Sequence, residues 1–340
     1  MSRTDRSPVL KDVARLAGVS HITVSRVANQ APNVHPTTRE RVLQAMTELG
    51  YRPNLAARAL VTRRSHTLGV IAVKGTLFGP ASTLLSIEQA AHARNYYLSV
   101  VSLTDLTPGA LVEALNRLAK QGVEGLVVMA PRRAAIEALQ QVPPGLPVVT
   151  VEGGGAPGTA AVLVDQAGGA AAVTRHLIEA GHRHVLHLAG PSDWLEAQAR
   201  QDGWRSACRE AGLRTPRPLR GDWSPRSGYR AARRLLGRLE TFTAVFAAND
   251  QMALGALRAF AEAGVRVPED VSVAGFDDIP EAEFLHPPLT TVRQDFATVG
   301  RRCVELLTGA IERRDGHAET VFVPARLHVR SSTGPPRAAL

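Results

Sequence analysis

The sequence predicts an α/β protein in which a small all-helical head precedes a core of two doubly wound parallel sheets. Residues 10–28 have the pattern of two short amphipathic helices joined by a tight turn. From residue 68 onward, short apolar strands alternate with amphipathic helices, which is typical of parallel sheets covered by helices on both faces. Positive charge is concentrated in the head, because residues 1–65 hold 11 Lys+Arg against 4 Asp+Glu while the whole chain carries +9.

The first two helices are defined by their apolar spacing and by the residues between them. Gly18 ends the first helix, since glycine adopts a left-handed turn without steric penalty. Ser20 then stands at an N-cap position, where its hydroxyl accepts a hydrogen bond from a free amide of the next turn. We expect the two helices to pack through the apolar face formed by Leu10, Val13, Ala14, Ala17, Val24 and Val27.

The second helix leaves short polar and basic side chains on and near its other side. Helix-turn-helix proteins place such side chains in the DNA major groove. An ordinary helical hairpin is the alternative, but the localised positive charge favours a polyanionic partner. A membrane surface would also satisfy the charge, yet this segment has no amphipathic helix with large apolar anchors. The available set is His21, Ile22, Thr23, Ser25 and Arg26.

A third helix is expected over residues 38–49, where an apolar stripe can close a three-helix core. Pro53 prevents continuation of this helix, and Asn54 can cap a short new helix that ends at Leu60. Residues 51–65 are therefore either a plain linker or a helix able to insert an apolar wedge into a minor groove.

The strand and helix units after residue 68 are too numerous for one small sheet, so we expect two subdomains. In open α/β sheets, ligands bind outside the carboxyl ends of the strands. This rule selects the polar side chains that stand at or just beyond predicted strand ends, which are Glu152, Asp165, Asn249, Asp250, Asp277 and Asp278.

Composition and motifs exclude several classes of protein. The N-terminus lacks an apolar signal region and no apolar run approaches the ~18 residues of a membrane span, so we expect no export, no membrane partner and a cytoplasmic location. The chain has no HExxH, GxxxxGK[ST] or GxSxG motif, and we expect neither an enzyme nor a cofactor. Cys208 and Cys303 lack metal-ligand spacing and are expected to be buried free thiols. Histidines 182, 184 and 187 suggest a metal at first sight, but we expect none there.

Several motifs occur together in a fixed order along the chain. They are LKDVARLAGVSHITVSRVANQ from residue 10, RPNLAARAL from 52, LAGP from 188, GDWSPRSGY from 221, ANDQMALGALRA from 248, VSVAGFDD from 271 and PPLTTVRQDF from 287. From about residue 9 to 330, the sequence resembles the LacI/GalR family of bacterial repressors. A lone helix-turn-helix would be a weak signal, whereas head, hinge and core motifs in one order are specific.

The resemblance implies a helix-turn-helix head, a hinge helix and a core similar to periplasmic sugar-binding proteins. In that fold the chain crosses between the core subdomains three times. The implied boundaries are 1–50 for the head, 51–65 for the hinge helix and linker, 66–164 with 294–322 for core subdomain one, 165–291 with 323–330 for core subdomain two, and 331–340 for a flexible tail.

The resemblance also assigns residues to DNA contacts. Arg26 can bond a guanine bidentately, whereas Ile22 can pack on a thymine methyl but cannot donate or accept a hydrogen bond. Leucine insertion in a minor groove unstacks a base step. The implied base contacts are His21, Ile22 and Arg26, the phosphate contacts are Thr23, Ser25, Asn29, Thr38 and Tyr51, and the hinge contacts in the minor groove are Asn54, Ala57 and Leu60.

For the core cleft, the resemblance implies an effector site with charged groups on ligand hydroxyls and aromatic walls. Trp194 is either a stacking surface or rim packing, and Glu196 lies near it. An ion pair between subdomains is the alternative role for Arg200 and Asp277. The implied effector residues are Glu152, Trp194, Arg200, Trp223, Asn249, Asp277 and Phe296.

Together these observations predict a repressor that binds double-stranded operator DNA and is controlled by a small carbohydrate. A repressor that uses a purine or another metabolite as corepressor is the alternative, because an arginine–aspartate pair does not by itself select a sugar. A sugar-binding transport protein is disfavoured by the basic head. The tail RSSTGPPRAAL contains no leucine heptads, so we expect a homodimer on a pseudo-palindromic operator.

Overall fold

A computed structural model describes residues 8–28, 31–52, 64–73, 75, 77–104, 107–129, 139, 145–152, 159–313 and 319–337. The chain divides into two compact units, a head of residues 1–65 and a core of residues 66–340. Several predictions fall outside the described residues, namely those for Asn29 and for the hinge contacts Asn54, Ala57 and Leu60.

The head contains the three predicted helices, α1 (Leu10–Ala17), α2 (His21–Ala28) and α3 (Pro36–Leu49). Gly18 adopts the left-handed conformation with φ 62°, and its N–H donates to the carbonyls of the preceding turn. Ser20 caps α2, since its Oγ accepts a hydrogen bond of 3.1 Å from the Thr23 amide. Helix α3 begins two residues earlier than predicted, because Pro36 fits the first turn, where its missing N–H costs nothing.

One apolar cluster holds the three head helices together. Its members lie at the spacings that the sequence predicted for α1 and α2, together with one face of α3. Leu49 and Tyr51 pack against its edge. The buried members are Val13, Ala14, Ala17, Val24, Val27, Val42, Ala45 and Met46.

The first core subdomain is built on a six-stranded parallel sheet with strand order β11-β5-β4-β3-β1-β2. Helices α4 and α10 pack on one face, where Val70 and Val127 point, and α5 covers the other face, where Ile71 and Val128 point. Its strands are β1 (Thr67–Val73), β2 (Tyr97–Leu103), β3 (Gly125–Met129), β4 (Val148–Val151), β5 (Ala160–Val164) and β11 (Thr320–Val323), and its helices are α4 (Phe78–Ala93), α5 (Pro108–Lys120) and α10 (Phe296–Arg313).

The second core subdomain is built on a four-stranded parallel sheet with strand order β7-β6-β8-β9. Helices α6 and α7 cover one face and α8 and α9 the other. Its strands are β6 (Val185–Ala189), β7 (Leu219–Arg220), β8 (Ala244–Ala247) and β9 (Ser272–Ala274), and its helices are α6 (Gln166–Glu179), α7 (Leu195–Glu210), α8 (Pro225–Leu235) and α9 (Asp250–Glu262). Two 3-10 helices span Leu236–Thr241 and Pro280–Phe284.

Three chain segments connect the two core subdomains. The first runs from β5 into α6, the second from β10 (Thr291–Arg293) into α10, and the third from β11 into β12 (Arg326–His328). Strands β10 and β12 form a separate antiparallel pair, so two of the three connections are hydrogen-bonded to each other.

The expectation of a flexible tail from residue 331 is wrong for residues 331–337. Ser332 is buried, and its Oγ accepts a hydrogen bond of 2.8 Å from the Thr290 amide and donates one of 2.6 Å to the Val273 carbonyl. Gly334 bonds to His182 and Ser272. The segment satisfies backbone groups beside β9, which sequence pattern alone does not reveal. In the parts of the chain that the structure describes, no helix combines the length and apolarity needed to span a membrane.

The close approach of α8 and α9 depends on two glycines. A Cβ at Gly228 would overlap the Met252 carbonyl, and a Cβ at Gly255 would overlap the Pro225 carbonyl. Backbone atoms cannot move aside in the way that the end of a flexible side chain can. A side chain at either position would therefore force the two helices apart. The close packing of α8 against α9 therefore requires glycine at both positions.

We predict that Gly228→Ala lowers the free energy of unfolding of the core by about 1–3 kcal/mol, as overpacking does. Gly237→Ala is the control, because no atom lies within 4 Å of its Cβ position. Urea unfolding monitored by circular dichroism compares the two variants with the parent chain. Equal midpoints for all three proteins would show that α8 and α9 tolerate separation.

Candidate functional site

The DNA-contact candidates of the head differ in exposure. His21, Ile22 and Arg26 are exposed on α2, and Ile22 is 54% exposed although it is large and apolar. Thr23 and Ser25 are half-buried, and the Thr23 hydroxyl lies 3.0 Å from the Ser20 Oγ within the helix cap. An exposed isoleucine between two exposed polar side chains forms a surface on which an apolar base edge and hydrogen-bonding base edges can both be contacted.

Two further candidates lie outside α2. Thr38 is half-buried in the first turn of α3, and Tyr51 is half-buried against the apolar cluster of the head. Arg26 has no ion-pair partner among the described residues, whereas Arg15 pairs with Asp12 at 3.6 Å. Arg26 lies in the last turn of α2, and a guanidinium without a described acidic partner there is available to a phosphate or a guanine edge.

A cavity opens in the core at the carboxyl ends of the strands of both sheets. It contains about 650 Å³ of space, which includes the open solvent at its mouth. The lining combines polar side chains, referred to below as the polar wall, with apolar and aromatic ones, and both subdomains contribute to each set. The polar lining residues are Thr83, Glu152, Gln166, Glu196, Arg200, Asn249, Asp277 and Gln294, and the apolar ones are Val73, Leu77, Phe78, Pro80, Met129, Val151, Trp194, Trp223 and Phe296, with Gly79 between them.

Arg200 is the centre of the polar wall. It is 5% exposed, and its Nη2 lies 3.3 Å from Asp277 Oδ1. Its Nε donates to Gln166 Oε1 at 2.8 Å, and its Nη1 donates to the Ala248 carbonyl. The guanidinium also lies 3.9 Å from the ring centre of Phe276. These contacts hold the guanidinium in place, so it acts as a fixed frame for the cavity.

Two glutamines connect the frame to the first subdomain. Gln294, which follows β10, donates to Asp277 Oδ1 at 2.7 Å. Gln166 donates through Nε2 to Gln294 Oε1 at 2.9 Å and to Glu152 Oε2 at 3.2 Å. Glu152 also accepts a bond from the Val164 amide. A continuous hydrogen-bond network thus joins the ends of both sheets.

Aromatic rings form the opposite surfaces of the cavity. Trp194 and Trp223 meet edge to face with ring centres 5.7 Å apart, and Phe78 and Phe296 meet similarly at 5.8 Å. The Trp223 ring lies against Gly190, where any Cβ would clash with it. Trp223 is therefore held in position by the second subdomain, while Phe78 and Phe296 belong to the first.

Backbone strain is concentrated around this cavity. Glu152, Trp223 and Asp277 have positive φ values of 62°, 71° and 114° although none is a glycine. Such conformations cost on the order of 1–3 kcal/mol each and cluster at binding sites. Asn249 stabilises this region, because its Oδ1 caps α9 and its Nδ2 donates to the Trp223 carbonyl at 3.1 Å.

Burial changes the protonation of the cavity carboxyls. Desolvation, together with the charge of the neighbouring Glu152, raises the pKa of Glu196 to about 8. Desolvation also raises the pKa of Glu152 to about 7, against the lowering effect of Gln166 and Arg200. The pKa of Asp277 is raised by burial as well, although Arg200 opposes the shift. With three carboxyls around one guanidinium, the cavity retains protons near neutral pH.

All seven residues that the sequence analysis assigned to effector contacts line this cavity. Of the six residues selected because they follow strand ends, only three line the cavity. Asp165 caps α6, Asp250 accepts bonds from Thr291 and the Ile279 amide, and Asp278 pairs with Arg330 at 2.7 Å. These three acids are structural, and none lines the cavity. The lining residues that sequence reasoning missed include Gln166, Gln294 and Phe78, although both glutamines follow strands as the acids do.

The histidines of the segment before and within β6 have structural partners. His182 contacts Thr243, Ser272 and the Gly334 carbonyl. His187 stacks on Trp204 and Phe246, and burial lowers its pKa to about 3. His184 is exposed. Within the ranges that the structure describes, no three His, Cys, Asp or Glu side chains are arranged to hold a metal ion.

Comparisons with known proteins agree with this architecture. Residues 9–54 match the model of bacterial regulatory proteins of the lacI family, and residues 174–333 match a periplasmic binding protein-like domain. The chain is 36% identical to the repressor PurR of Haemophilus influenzae, over 90% of this chain and 92% of that protein. It is 38% identical to the regulator CelR of Thermobifida fusca, over 96% and 98%.

Solved structures extend the likeness to three dimensions. A lac repressor dimer bound to operator and the anti-inducer ONPF has a TM-score of 0.86, with 32% identity over 97% of this chain and all of that one. A CelR–cellobiose complex has a TM-score of 0.72, with 34% identity over 96% of this chain and 99% of that one. Head, core and cavity are thus those of one family, and the chain belongs to the lacI family of bacterial regulatory proteins.

Proposed function

We propose that this DNA-binding transcriptional repressor is controlled by a small carbohydrate bound in its core cavity. The observation that carries the proposal is the mixed chemistry of the cavity lining. Carboxyl, guanidinium and amide groups line the cavity together with aromatic and aliphatic surfaces. A pyranose matches this combination, because its hydroxyls project from its edge while its C–H groups form apolar faces.

A purine corepressor is the second candidate. The Arg200–Asp277 pair favours it, because a guanidinium and a carboxylate together can also bind the edge of a heterocycle. The relatives point both ways. One is the repressor PurR, whose name refers to purines, and another, CelR, has a solved structure with cellobiose. The number of hydrogen-bonding groups in the polar wall exceeds what one flat ring edge uses, which supports the carbohydrate.

Control of DNA affinity by such a ligand requires two core states that bind it unequally. The cavity residues come from both subdomains, and Leu77 and Phe78 of the first subdomain pack against the apolar cluster of the second. A ligand between these walls biases the relative orientation of the subdomains. In our proposal this bias changes the order of the hinge helix, because a helix of about two turns is unstable alone. Typical couplings are ~1–3 kcal/mol.

The head is proposed to read a pseudo-palindromic operator as part of a homodimer. His21, Ile22 and Arg26 contact bases in the major groove, and the half-sites lie about one helical turn apart. Large apolar side chains that the described core leaves exposed support a dimer surface, because burial in a second copy would stabilise them. They are Leu85 on α4, Tyr97 and Val100 on the edge strand β2, Leu254 on α9 and Phe284, which is 79% exposed.

We predict that neutral sugars, rather than purines, change the intrinsic fluorescence of the full-length protein. Trp194 and Trp223 line the cavity, so an occupant alters their surroundings. The panel consists of cellobiose, lactose, glucose and ribose against adenine, guanine and hypoxanthine. Saturable binding by a purine alone would establish the corepressor alternative.

We predict that Asp277→Asn retains operator binding but weakens the effector response by at least about tenfold, as loss of a charged hydrogen-bond acceptor does. Asparagine keeps the size of the side chain, although it leaves the Arg200 charge without its anion. Effector titrations of a preformed protein–DNA complex measure the response. Asp202→Asn on α7 is the control, because Asp202 is exposed and its only described ion pair is with Arg205.

Loss of folding is separated from loss of ligand binding by the thermal midpoint of each variant. A folded Asp277→Asn protein that releases DNA at the parent's sugar concentration would contradict the assignment of the cavity.

We predict that Arg26→Ala lowers affinity for the preferred operator by about 1–3 kcal/mol and relaxes selection at one base pair of each half-site. The preferred sequence and its relaxation are read from binding to a randomised duplex library. Lys11→Ala is the matched control, since it removes one exposed charge of the same head and should weaken all sequences about equally. If Arg26→Ala lowers the affinity for all sequences equally, Arg26 contacts phosphate only.

A further inference from the structure

The Oε2 atom of Glu196 takes no part in the hydrogen-bond network around Arg200 that the described residues form, whereas Glu152 joins that network through Gln166. Among the described lining residues, Arg200 is the only guanidinium or ammonium, and three of its five N–H donors face Asp277, Gln166 and the Ala248 carbonyl. A phosphate or carboxylate ligand would therefore meet three acids and a single cation that is already paired with Asp277. The cavity disfavours anionic ligands for this reason.

The two glutamates differ in their hydrogen bonds. Glu152 accepts bonds at both oxygens, from the Val164 amide and from Gln166 Nε2, which stabilises it as a carboxylate. Glu196 stands in the first turn of α7, one turn before Arg200. Its Oε2 is buried and has no hydrogen-bond partner among the described residues. One oxygen of the cavity wall is thus without the partner that buried polar atoms normally have.

The two groups act as a pair. Glu152 is close enough that its charge raises the pKa of Glu196 to about 8, while the pKa of Glu152 itself is about 7. Between these two values the pair holds about one proton. The arrangement then offers a carboxylate that accepts and a carboxylic acid that donates. A hydroxyl both donates and accepts, an ammonium only donates, and a phosphate at neutral pH mainly accepts.

We propose that Glu196 is a specificity-determining residue that donates a hydrogen bond, as a neutral acid, to an effector hydroxyl which in turn donates to the Glu152 carboxylate. The proposal rests on the proposed function and narrows its ligand class to uncharged polyhydroxylated compounds. The unpartnered Trp223 Nε1 of the same cavity offers a second donor to such a ligand.

The groups that face the pair define the expected pH dependence. They are Arg200 on α7, Asp277 after β9 and the Cys303 thiol on α10, whose pKa burial raises so that it stays neutral. Affinity is lost below the pKa of Glu152, where the acceptor is protonated, and above the pKa of Glu196, where the donor is ionised. With values of about 7 and about 8, sugar affinity at pH 6 and at pH 9 is about sevenfold below its maximum near pH 7.5.

The experiment measures the dissociation constant of the full-length protein for cellobiose and glucose across this pH range, by calorimetry and tryptophan fluorescence. Glu196→Gln retains a donor that does not titrate, so the alkaline limb of the profile disappears while affinity near pH 7.5 stays within a few-fold. Glu152→Gln is the matched variant and removes the acid limb. Glu196→Ala weakens binding at every pH, and the thermal midpoint of each variant verifies folding.

Charged counterparts test the ligand class. Glucose 6-phosphate, glucuronate and glucosamine should all bind more weakly than glucose, with the two anions weakest. A preference for glucosamine, or an unchanged alkaline limb in folded Glu196→Gln, overturns the proposal. If Asp277→Asn abolishes sugar binding but the pH profile of the parent protein has no alkaline limb, only the role of Glu196 is contradicted. Absence of binding by every neutral sugar contradicts both this inference and the carbohydrate assignment.

Discussion

Burial of the Arg200 guanidinium is the constraint on which the rest of the core depends. Removing such a charge from water costs several kcal/mol unless its hydrogen bonds are replaced with good geometry. The replacements come from Gln166 at the start of α6, from the Ala248 carbonyl after β8 and from Asp277 after β9. These groups are far apart in the sequence. Satisfying one cation therefore fixes the relative positions of three strand ends, and the polar wall of the cavity is the result.

The same constraint extends into the first subdomain, and strained backbone lies on both sides of the cavity. Gln294 and Glu152 belong to the network around Arg200, but they follow strands β10 and β4, which feed the connections and the sheet of the other half. The positive φ values of Glu152, Trp223 and Asp277 persist because the surrounding contacts hold them. A ligand that replaces some of these contacts changes the balance between the subdomains. This is the physical basis on which a small molecule can bias a repressor between two states.

Much of the head was predictable, because its determinants are local. Gly18 at positive φ and the Ser20 cap each depend on residues within one turn of the chain, and the structure contains both. The carboxyl-end rule selected six residues, of which Glu152, Asn249 and Asp277 line the cavity. Asp165, Asp250 and Asp278 have the same sequence signature but face helix caps and ion pairs, because a strand end has two sides. The glutamines escaped prediction since an uncharged amide after a strand carries no signal of its own.

The sequence by itself determined the class of fold, the order of the strands and helices and the positions of the helix caps, because apolar period, capping and charge act over a few residues. Family motifs added the residues that line the cavity. Only the tertiary structure decided which side chains meet. It placed the segment after residue 330 against β9, gave Arg200 partners at all three of its nitrogens, and left Glu196 Oε2 without a described partner in the same cavity as Glu152. Burial sets the protonation of that glutamate pair, and burial exists only once both subdomains have closed around the cavity.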